Sequence, residues 1–371
     1  MSQSSQEEEI EHISPVLAAS VHDVRYFSGL LRGVNFANRA TVTITSSGFT
    51  VAVEEARSVL ATAYVFADIF DEYTYTPAPT PAPRAHTPTS SLTPPPPTAT
   101  PAEDKTTVLE IPLATLIDCL NIFGTAGAAG GGAKHKRWLR PGDDDDADRD
   151  GDGDGAGGRG RGKIDQYFTA AGGEKSTGMR MTYTGEGHPL TLLVAEESTG
   201  PTATCEITTY DAEPRLELPF DAEQTVLKII LKSSWLRDAL SELDPSFDKV
   251  TFIGNPPTAD STTAARTSAR TVPKPMLRIH AAGSFGSTEM DYPNDREVLE
   301  TFECARSVSF SYRYAHIART LRALQSSTKT SLRIDEEGLL SLQFLMPSPK
   351  PRGGMSEAFI EFRCLPLDED I

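Results

Sequence analysis

Hydrophobic positions along this chain form four similar runs. In each run a short apolar segment is followed by a stretch with helical spacing, and then by three segments in which apolar and polar residues alternate. Alternation is typical of half-buried strands, and spacings of three and four residues are typical of amphipathic helices. Each run therefore predicts a strand, a helix and three strands, with helices over about residues 22–35, 113–123, 233–243 and 314–325.

The repetition of these runs predicts both the fold class and the domain organisation. Strands that bury one face under paired helices give an α+β protein. Two similar domains of two runs each are expected, and the connection between them is an extended acidic segment. The predicted N-terminal domain covers 14–210, the connector 211–224 and the C-terminal domain 225–367.

Four stretches break the pattern because their composition offers no apolar face to bury. The first is an acidic N-terminal tail, the second is rich in proline, the third is rich in glycine and aspartate, and the fourth is rich in threonine and alanine. We expect a disordered tail and three disordered insertions at 1–13, about 76–104, about 125–175 and about 256–275.

Composition narrows the class of protein. The 371-residue chain has a formal net charge of −17, which excludes a uniformly basic DNA-coating protein. The N-terminus is polar, and no run approaches the roughly 18 apolar residues of a membrane span, so we expect a soluble intracellular protein without a membrane partner. The cysteines are too far apart to indicate a disulfide scaffold or a zinc site; they are Cys119, Cys205, Cys304 and Cys364.

Basic residues lie opposite the apolar side in three of the four predicted helices, and the second helix has none. Such bases either keep an exposed face solvated or form a shared surface that contacts phosphates without reading bases. The third helix also predicts Trp235 on its buried side. The exposed bases are Arg25, Arg32, Lys232, Arg237, Arg313, Arg319 and Arg322.

Paired acidic residues raise the alternative of a metal-dependent nuclease, which needs several carboxylates that converge on its ions. Asp335 and Glu337 have a D-x-E spacing, but they lie between two strand runs, where a hairpin turn already explains them. The interpretation as a turn is therefore favoured. Two further pairs in the connector, Asp211 with Glu213 and Asp221 with Glu223, are weaker.

An aspartate-rich segment imitates the start of a calcium-binding loop. Asp146, Asp148, Asp150 and Gly151 match D-x-D-x-D-G, but Gly157 occupies the position where an EF-hand loop has its bidentate glutamate. No calcium site is predicted. Because phosphate-loop and zinc-protease motifs are also missing from the sequence, we expect no cofactor.

Two regulatory hypotheses concern the same low-complexity regions. Ser2 and Ser5 each precede a glutamine, which is the pattern of damage-response kinases, so both are candidate phosphosites. A short basic cluster is a candidate nuclear import signal, with a chance cluster as the alternative. It consists of Lys134, Lys136, Arg137 and Arg140.

Several segments resemble a known family. They include EEARSVLATAYVFADIF, IPLATLIDCLNIFG, MTYTGEGHPLTLLVAEE and ILKSSWLRDALSELD, and they follow one another over nearly all the foldable chain. In this order the sequence is similar to the Rad-one subunits of the nine-one-one DNA-damage checkpoint clamp, which are relatives of the PCNA sliding clamps.

The resemblance implies a sliding-clamp fold with two clamp domains and a ring of three unlike subunits around duplex DNA. The helices would line the hole, so the seven exposed bases become the candidate DNA-facing residues, and TATCEITTY and STEMDY become candidate ring-closing edges. Implied partners are Rad-nine-like and Hus-one-like subunits, an ATP-driven clamp loader and the phosphates of double-stranded DNA.

The implied role is that of a non-enzymatic, nuclear platform for checkpoint kinase activation and repair factors. Two alternatives remain open. The family has also carried the label of a 3′–5′ exonuclease, and a homotrimeric replication clamp would have the same architecture.

Overall fold

A computed structural model of the chain describes residues 14–77, 106–124, 176–196, 200–256, 275–293, 295–347 and 358–368. The predicted tail and nearly all residues of the three predicted insertions lie outside these ranges. None of the helices in the described ranges has the length and apolarity that a bilayer-spanning helix needs.

Residues before the connector form the N-terminal half of the structure. Its helices are α1 (Val24–Gly33) and α2 (Leu113–Leu120), and a short 3-10 helix covers Ala67–Ile69. Its strands are β1 (Leu17–Val21), β2 (Ala40–Thr45), β3 (Gly48–Glu55), β4 (Val59–Phe66), β5 (Glu72–Tyr75), β6 (Thr107–Ile111), β7 (Gly178–Tyr183), β8 (Leu190–Ala195) and β9 (Thr202–Ile207).

Residues after the connector form the C-terminal half. Its helices are α3 (Ser233–Ser241), α4 (Tyr314–Ala318) and α5 (Leu321–Ser326). Its strands are β10 (Thr225–Lys232), β11 (Phe247–Gly254), β12 (Leu277–Gly283), β13 (Gly286–Tyr292), β14 (Leu299–Cys304), β15 (Val308–Arg313), β16 (Lys329–Asp335), β17 (Leu340–Met346) and β18 (Ala358–Cys364).

The α+β fold class is confirmed, and the predicted order of strand, helix and three strands recurs four times. The strands β5 and β14 are additions that the sequence pattern did not predict. The fourth predicted helix is wrong as a single element, because the structure divides it into α4 and α5. At the break, the buried Thr320 donates its amide and its hydroxyl to the carbonyl of Ile317, at 3.0 and 2.7 Å. This i→i−3 bonding tightens the chain and ends the first helix.

The strands of the described ranges form three antiparallel sheets. The largest has nine strands in the order β14-β10-β16-β17-β18-β4-β3-β2-β6, so both halves of the chain contribute to it. A five-stranded sheet, β5-β1-β7-β8-β9, belongs to the N-terminal half, and a four-stranded sheet, β13-β12-β11-β15, belongs to the C-terminal half. The nine-stranded sheet therefore runs across the predicted domain boundary through the pair β4–β18.

The helices pack side by side in the order α2, α1, α5, α3 and form what we call the helix row. The middle contact is close because Gly33 faces Ala323 and Ile360; a Cβ atom at Gly33 would overlap Ile360 Cδ1 and lie 3.6 Å from Ala323 Cα. Helix α1 begins where the Asp23 side chain accepts a hydrogen bond from the amide of Arg25, which explains why it starts later than predicted.

Side chains tie the two halves together across the middle of the helix row. The guanidinium of Arg319 binds the carboxylate of Glu55 through two bonds of 2.9 and 2.7 Å, and Arg322 donates to the carbonyl oxygen of Asn35 at 2.8 Å. Arg319 follows α4 and Arg322 lies in α5, whereas Glu55 lies in β3 and Asn35 follows α1. Two of the three predicted helix-four bases, Arg319 and Arg322, thus hold the halves together.

We expect a double-mutant cycle on Arg319 and Glu55 to show a favourable coupling of about 1 kcal/mol. The geometry is bidentate, but both side chains are partly solvated, at 42% and 31% exposure, which limits the strength of the pair. The measurement is urea unfolding of wild type, Arg319→Ala, Glu55→Ala and the double variant.

The control cycle uses Arg306 and Glu336, which are 3.8 Å apart and more exposed, and it should give a coupling near zero. Equal couplings in the two cycles would contradict a structural role for Arg319.

Candidate nucleic-acid interface

The bases that the sequence singled out lie on or next to the helices of the row and α4, and the structure divides them into two groups. Arg32 lies on α1, while Lys232 and Arg313 immediately precede α3 and α4. Within the described ranges, these three side chains make no ion pair or hydrogen bond. They are therefore available to contact phosphate oxygens.

The other four predicted bases already have protein partners. Arg25 binds Asp23 at 2.7 Å, and Arg237 binds Asp238 at 2.8 Å, so each of these cations has a carboxylate beside it. Arg319 and Arg322 bind the N-terminal half, as described above. Whether any of the seven bases faces DNA stays a prediction, but the three unpaired ones are the strongest candidates.

One titratable group in this region adds no charge at neutral pH. Burial lowers the pKa of His316, and the nearby cation of Arg313 lowers it further. Glu55 opposes this effect by raising the pKa, but the net direction is downward. The pKa of this histidine on α4 therefore lies below its ordinary value, and the positive charge of this region comes mainly from arginine and lysine.

Two helices differ from an ideal basic lining. Helix α2 exposes Thr115 and Asp118 and carries no base, as its sequence predicts. On α3 the prediction that Trp235 is buried is wrong, because 43% of its surface is exposed. The core positions of α3 are filled by Leu236, Ala239 and Leu240 instead, and the indole projects beside them toward solvent.

A free strand edge lies beside each end of the helix row. At one end α2 packs against β9, which pairs only with β8 among the described strands. At the other end, α3 is joined to β13, because the Tyr292 hydroxyl donates to the carbonyl of Trp235 at 3.2 Å. Strand β13 pairs only with β12 in the same described set. Both predicted edges are therefore sheet edges, and their role in ring closure stays a prediction.

The predicted connector runs over the face of the nine-stranded sheet that the helices do not cover. Leu218 is buried in a small cluster with Ala52, Leu60 and Leu339. Backbone amides of the connector donate to carboxylates of the N-terminal half, as in the 2.6 Å bond from Leu216 to Glu54. Such bonds fix the connector against the sheet while much of its outer side stays exposed.

Two of the carboxylates that suggested a nuclease, Asp335 and Asp221, accept backbone amides in turns. Asp335 is buried, and its Oδ1 accepts the amides of Glu337 and Leu339 at 3.1 and 2.8 Å, which closes the β16–β17 hairpin. Desolvation raises the pKa of Asp335, and these backbone bonds oppose the rise. Asp221 likewise accepts the amide of Glu223 at 2.9 Å. No cluster of three or more His, Cys, Asp or Glu residues suited to a metal exists in the described ranges.

The remaining site predictions cannot be placed. Ser2 and Ser5 lie outside the described residues, and so does the acidic EF-hand-like segment. The same holds for the candidate import cluster of Lys134, Lys136, Arg137 and Arg140. These assignments stay predictions from the sequence.

Comparison with known proteins agrees with the fold. The model of the family described as repair protein Rad1/Rec1/Rad17 matches residues 16–346. The mouse cell cycle checkpoint protein RAD1 is 27% identical over 98% of this chain and 97% of its own length. The DNA damage checkpoint control protein rad1 of Schizosaccharomyces pombe is 26% identical over 93% of this chain and 84% of its own length.

A further relative, the DNA repair exonuclease REC1 of Mycosarcoma maydis, is 26% identical over 95% of this chain and 96% of its own length. The matches span both halves of the structure and the connector between them, and they confirm the resemblance found in the sequence. The chain therefore belongs to the Rad1/Rec1/Rad17 family of repair proteins.

Proposed function

We propose that this chain is a non-catalytic subunit of a DNA-damage checkpoint clamp, which closes a ring around duplex DNA with two unlike clamp-like subunits. One observation carries the proposal. The helix row spans both halves, the unpaired Arg32, Lys232 and Arg313 lie on or next to its helices and α4, and a strand edge without a described partner lies beside each end of the row. Such edges are templates for the backbone of another chain.

A small number of free bases suits encirclement. A closed ring retains DNA by topology, so its phosphate contacts need only orient the duplex and counter the repulsion of an acidic protein. Contacts to phosphates carry no sequence information, and they can be exchanged as the ring slides. A dense, unpaired basic surface would bind tightly and slow that motion.

The remaining features of the proposed role concern the outside of the ring. The exposed side of the connector would receive segments of repair factors and of proteins that activate checkpoint kinases. An ATP-driven loader would open and close the ring. The place of action would be the nucleus, in keeping with the checkpoint and repair names of the relatives.

A 3′–5′ exonuclease is the second candidate, and the name of the REC1 relative favours it. The structure offers little support, because Asp335 uses Oδ1 for the turn amides and is buried, at 5% exposure. A carboxylate in this environment supports the hairpin. A homotrimeric replication clamp is the other alternative, and the subunit composition of the complex distinguishes it from the proposed clamp.

The native mass of the assembled protein tests the proposed function directly. Co-expression with the two other clamp-like chains of the same organism should give a one-to-one-to-one complex by light scattering after gel filtration. A stable homotrimer of the chain alone would contradict the proposal and favour the replication clamp.

Reversal of free bases should shorten retention on DNA. We expect Lys232→Glu combined with Arg313→Glu to leave ring assembly intact. Because each phosphate contact contributes about 0.9 to the salt dependence of binding, the slope of log affinity against log salt should fall by about two. The measurement is dissociation of the loaded ring from linear DNA with blocked ends, over a range of salt concentrations.

The matched control is Arg180→Glu with Arg296→Glu, two exposed bases outside the helix row. It changes the net charge equally and should leave the slope unchanged. An equal effect of the two double variants would show that total charge, and not the helix row, governs retention.

Substitution of the turn carboxylate should affect stability and not catalysis. Asp335→Ala leaves the amides of Glu337 and Leu339 without their acceptor, and the Leu339 amide is buried, so we expect the free energy of unfolding to fall by about 1–3 kcal/mol. Glu337→Ala, at an exposed neighbouring position, should change it by less than about 0.5 kcal/mol. Robust magnesium-dependent degradation of 3′-labelled duplex DNA that is abolished by Asp335→Ala would instead establish the exonuclease.

A further inference from the structure

We propose that the β12–β13 hairpin is the recognition element for an unlike clamp subunit with a basic edge. The free edge of β13 pairs with a partner strand whose flanks carry lysine and arginine, and Phe285 at the hairpin tip enters an apolar socket beside that strand. The inference rests on the proposed ring, and it adds the chemistry of one ring-closing surface.

Phe285 is the first observation. Its side chain is 92% exposed, whereas Ile122, another exposed hydrophobic residue of the described ranges, reaches 53%. An aromatic ring of this size removes about 150–250 Å² from water when it is buried, which makes it an effective anchor in an interface. Because it makes little contact with its own chain, the whole of that area is available to a partner.

The hairpin holds the backbone of Phe285 in a defined position. Gly283 and Gly286 form the last pair of the ladder, and only Ser284 and Phe285 lie between them. A Cβ atom at Gly283 would approach the carbonyl oxygen of Ser246 at 2.8 Å, so the base of the hairpin rests directly on the turn before β11. Because the backbone is already ordered there, less backbone entropy is lost when the tip binds.

The strand next to the tip is a free edge of useful length. All seven residues of β13, Gly286–Tyr292, pair with β12 on one side. On the other side no strand of the described ranges pairs with it. Main-chain groups on that side can accept a strand from another chain, and alternate side chains then determine which strand is accepted.

The charges on β13 define the partner. Arg278 on β12 binds Glu289 at 2.8 Å and Asp291 at 2.7 Å. One cation therefore serves two carboxylates, and both carboxylates are about half exposed. The ladder consequently retains a negative charge along the edge, which a basic neighbour would complement.

The adjoining helix α3 adds to the negative charge beside this edge. Asp238 and Glu242, on and just after α3, lie close enough to the Tyr292 hydroxyl to help burial raise the pKa of that phenol to about 12. Arg237 binds Asp238, but Glu242 has no such partner within the described ranges. The end of the molecule that contains β13 and α3 is thus acidic.

A second copy of this chain would pair poorly with the β13 edge. In head-to-tail assembly β13 would meet β9, which carries Glu206, and the helix that packs on β9, α2, carries Asp118. Neither β9 nor α2 contains a lysine or arginine. Like charges placed opposite each other destabilise strand pairing and disfavour the wrong partner. The surface therefore selects an unlike subunit.

The experiment uses the full chain co-expressed with the two clamp-like chains of its organism. Phe285→Ala should weaken the affinity of the subunit for its neighbour about 30-fold, the effect of losing an interface anchor. The unfolding midpoint of the chain alone should not change, because the side chain is already exposed. The control is Val108→Ala on β6, another exposed apolar side chain at 46%, which should leave the affinity unchanged.

A photo-crosslinking phenylalanine analogue at position 285 identifies what the tip contacts. A crosslink to an edge strand flanked by lysine or arginine in an unlike subunit supports the inference, and a crosslink to a second copy of this chain overturns it. Undiminished affinity of Phe285→Ala in an intact three-subunit complex overturns the inference and leaves the proposed function standing. Failure of the wild-type chain to form that complex contradicts the proposed function as well.

Discussion

The pairing of β4 with β18 is the contact on which the rest of the structure depends, because it joins the sheet of one half to the sheet of the other. Glu361 lies in this joint with 4% of its side chain exposed, and it accepts bonds from Ser341, Arg333, Arg363 and Tyr64. Removal of either cation would leave a buried carboxylate poorly compensated. A shift of the register by one residue would turn Glu361 toward the helix-packed face, so the network specifies one alignment of the halves.

The opposite face of the same joint determines which bases remain free. Gly33 allows α1 and α5 to approach, and Arg319 then reaches Glu55 across the contact. Arg319 and Arg322 hold the halves together at this contact, whereas Arg32, Lys232 and Arg313 make no side-chain ion pair or hydrogen bond within the described ranges. The arginines and lysines of this region are therefore divided between holding the halves together and keeping a positive charge exposed.

The sequence predicted the α+β class, the recurring order of elements and the four helical regions, because those follow from local periodicity. It could not predict the partner of Arg319, since Glu55 lies 264 residues away and the pairing follows from tertiary packing. The exposure of Trp235 also depends on which elements pack against α3. A helical wheel shows the direction of a side chain but not the neighbours that lie in that direction. Periodicity also could not predict the break at Thr320, because the break depends on a hydroxyl that competes for a backbone carbonyl. Strands β5 and β14 lie outside the four runs of the pattern, and each adds an edge to its sheet.

Within the proposed ring, the net charge of −17 and a role on DNA are compatible because the two signs occupy different surfaces. Unpaired bases lie on or next to α1, α3 and α4, while the edge at β13 and the C-terminal end of α3 are acidic. A partner strand with basic flanks would neutralise that edge at assembly, which would also reduce the repulsion that DNA meets at the rim of the hole. Ring closure and DNA retention would then be coupled through electrostatics, although no residue takes part in both contacts.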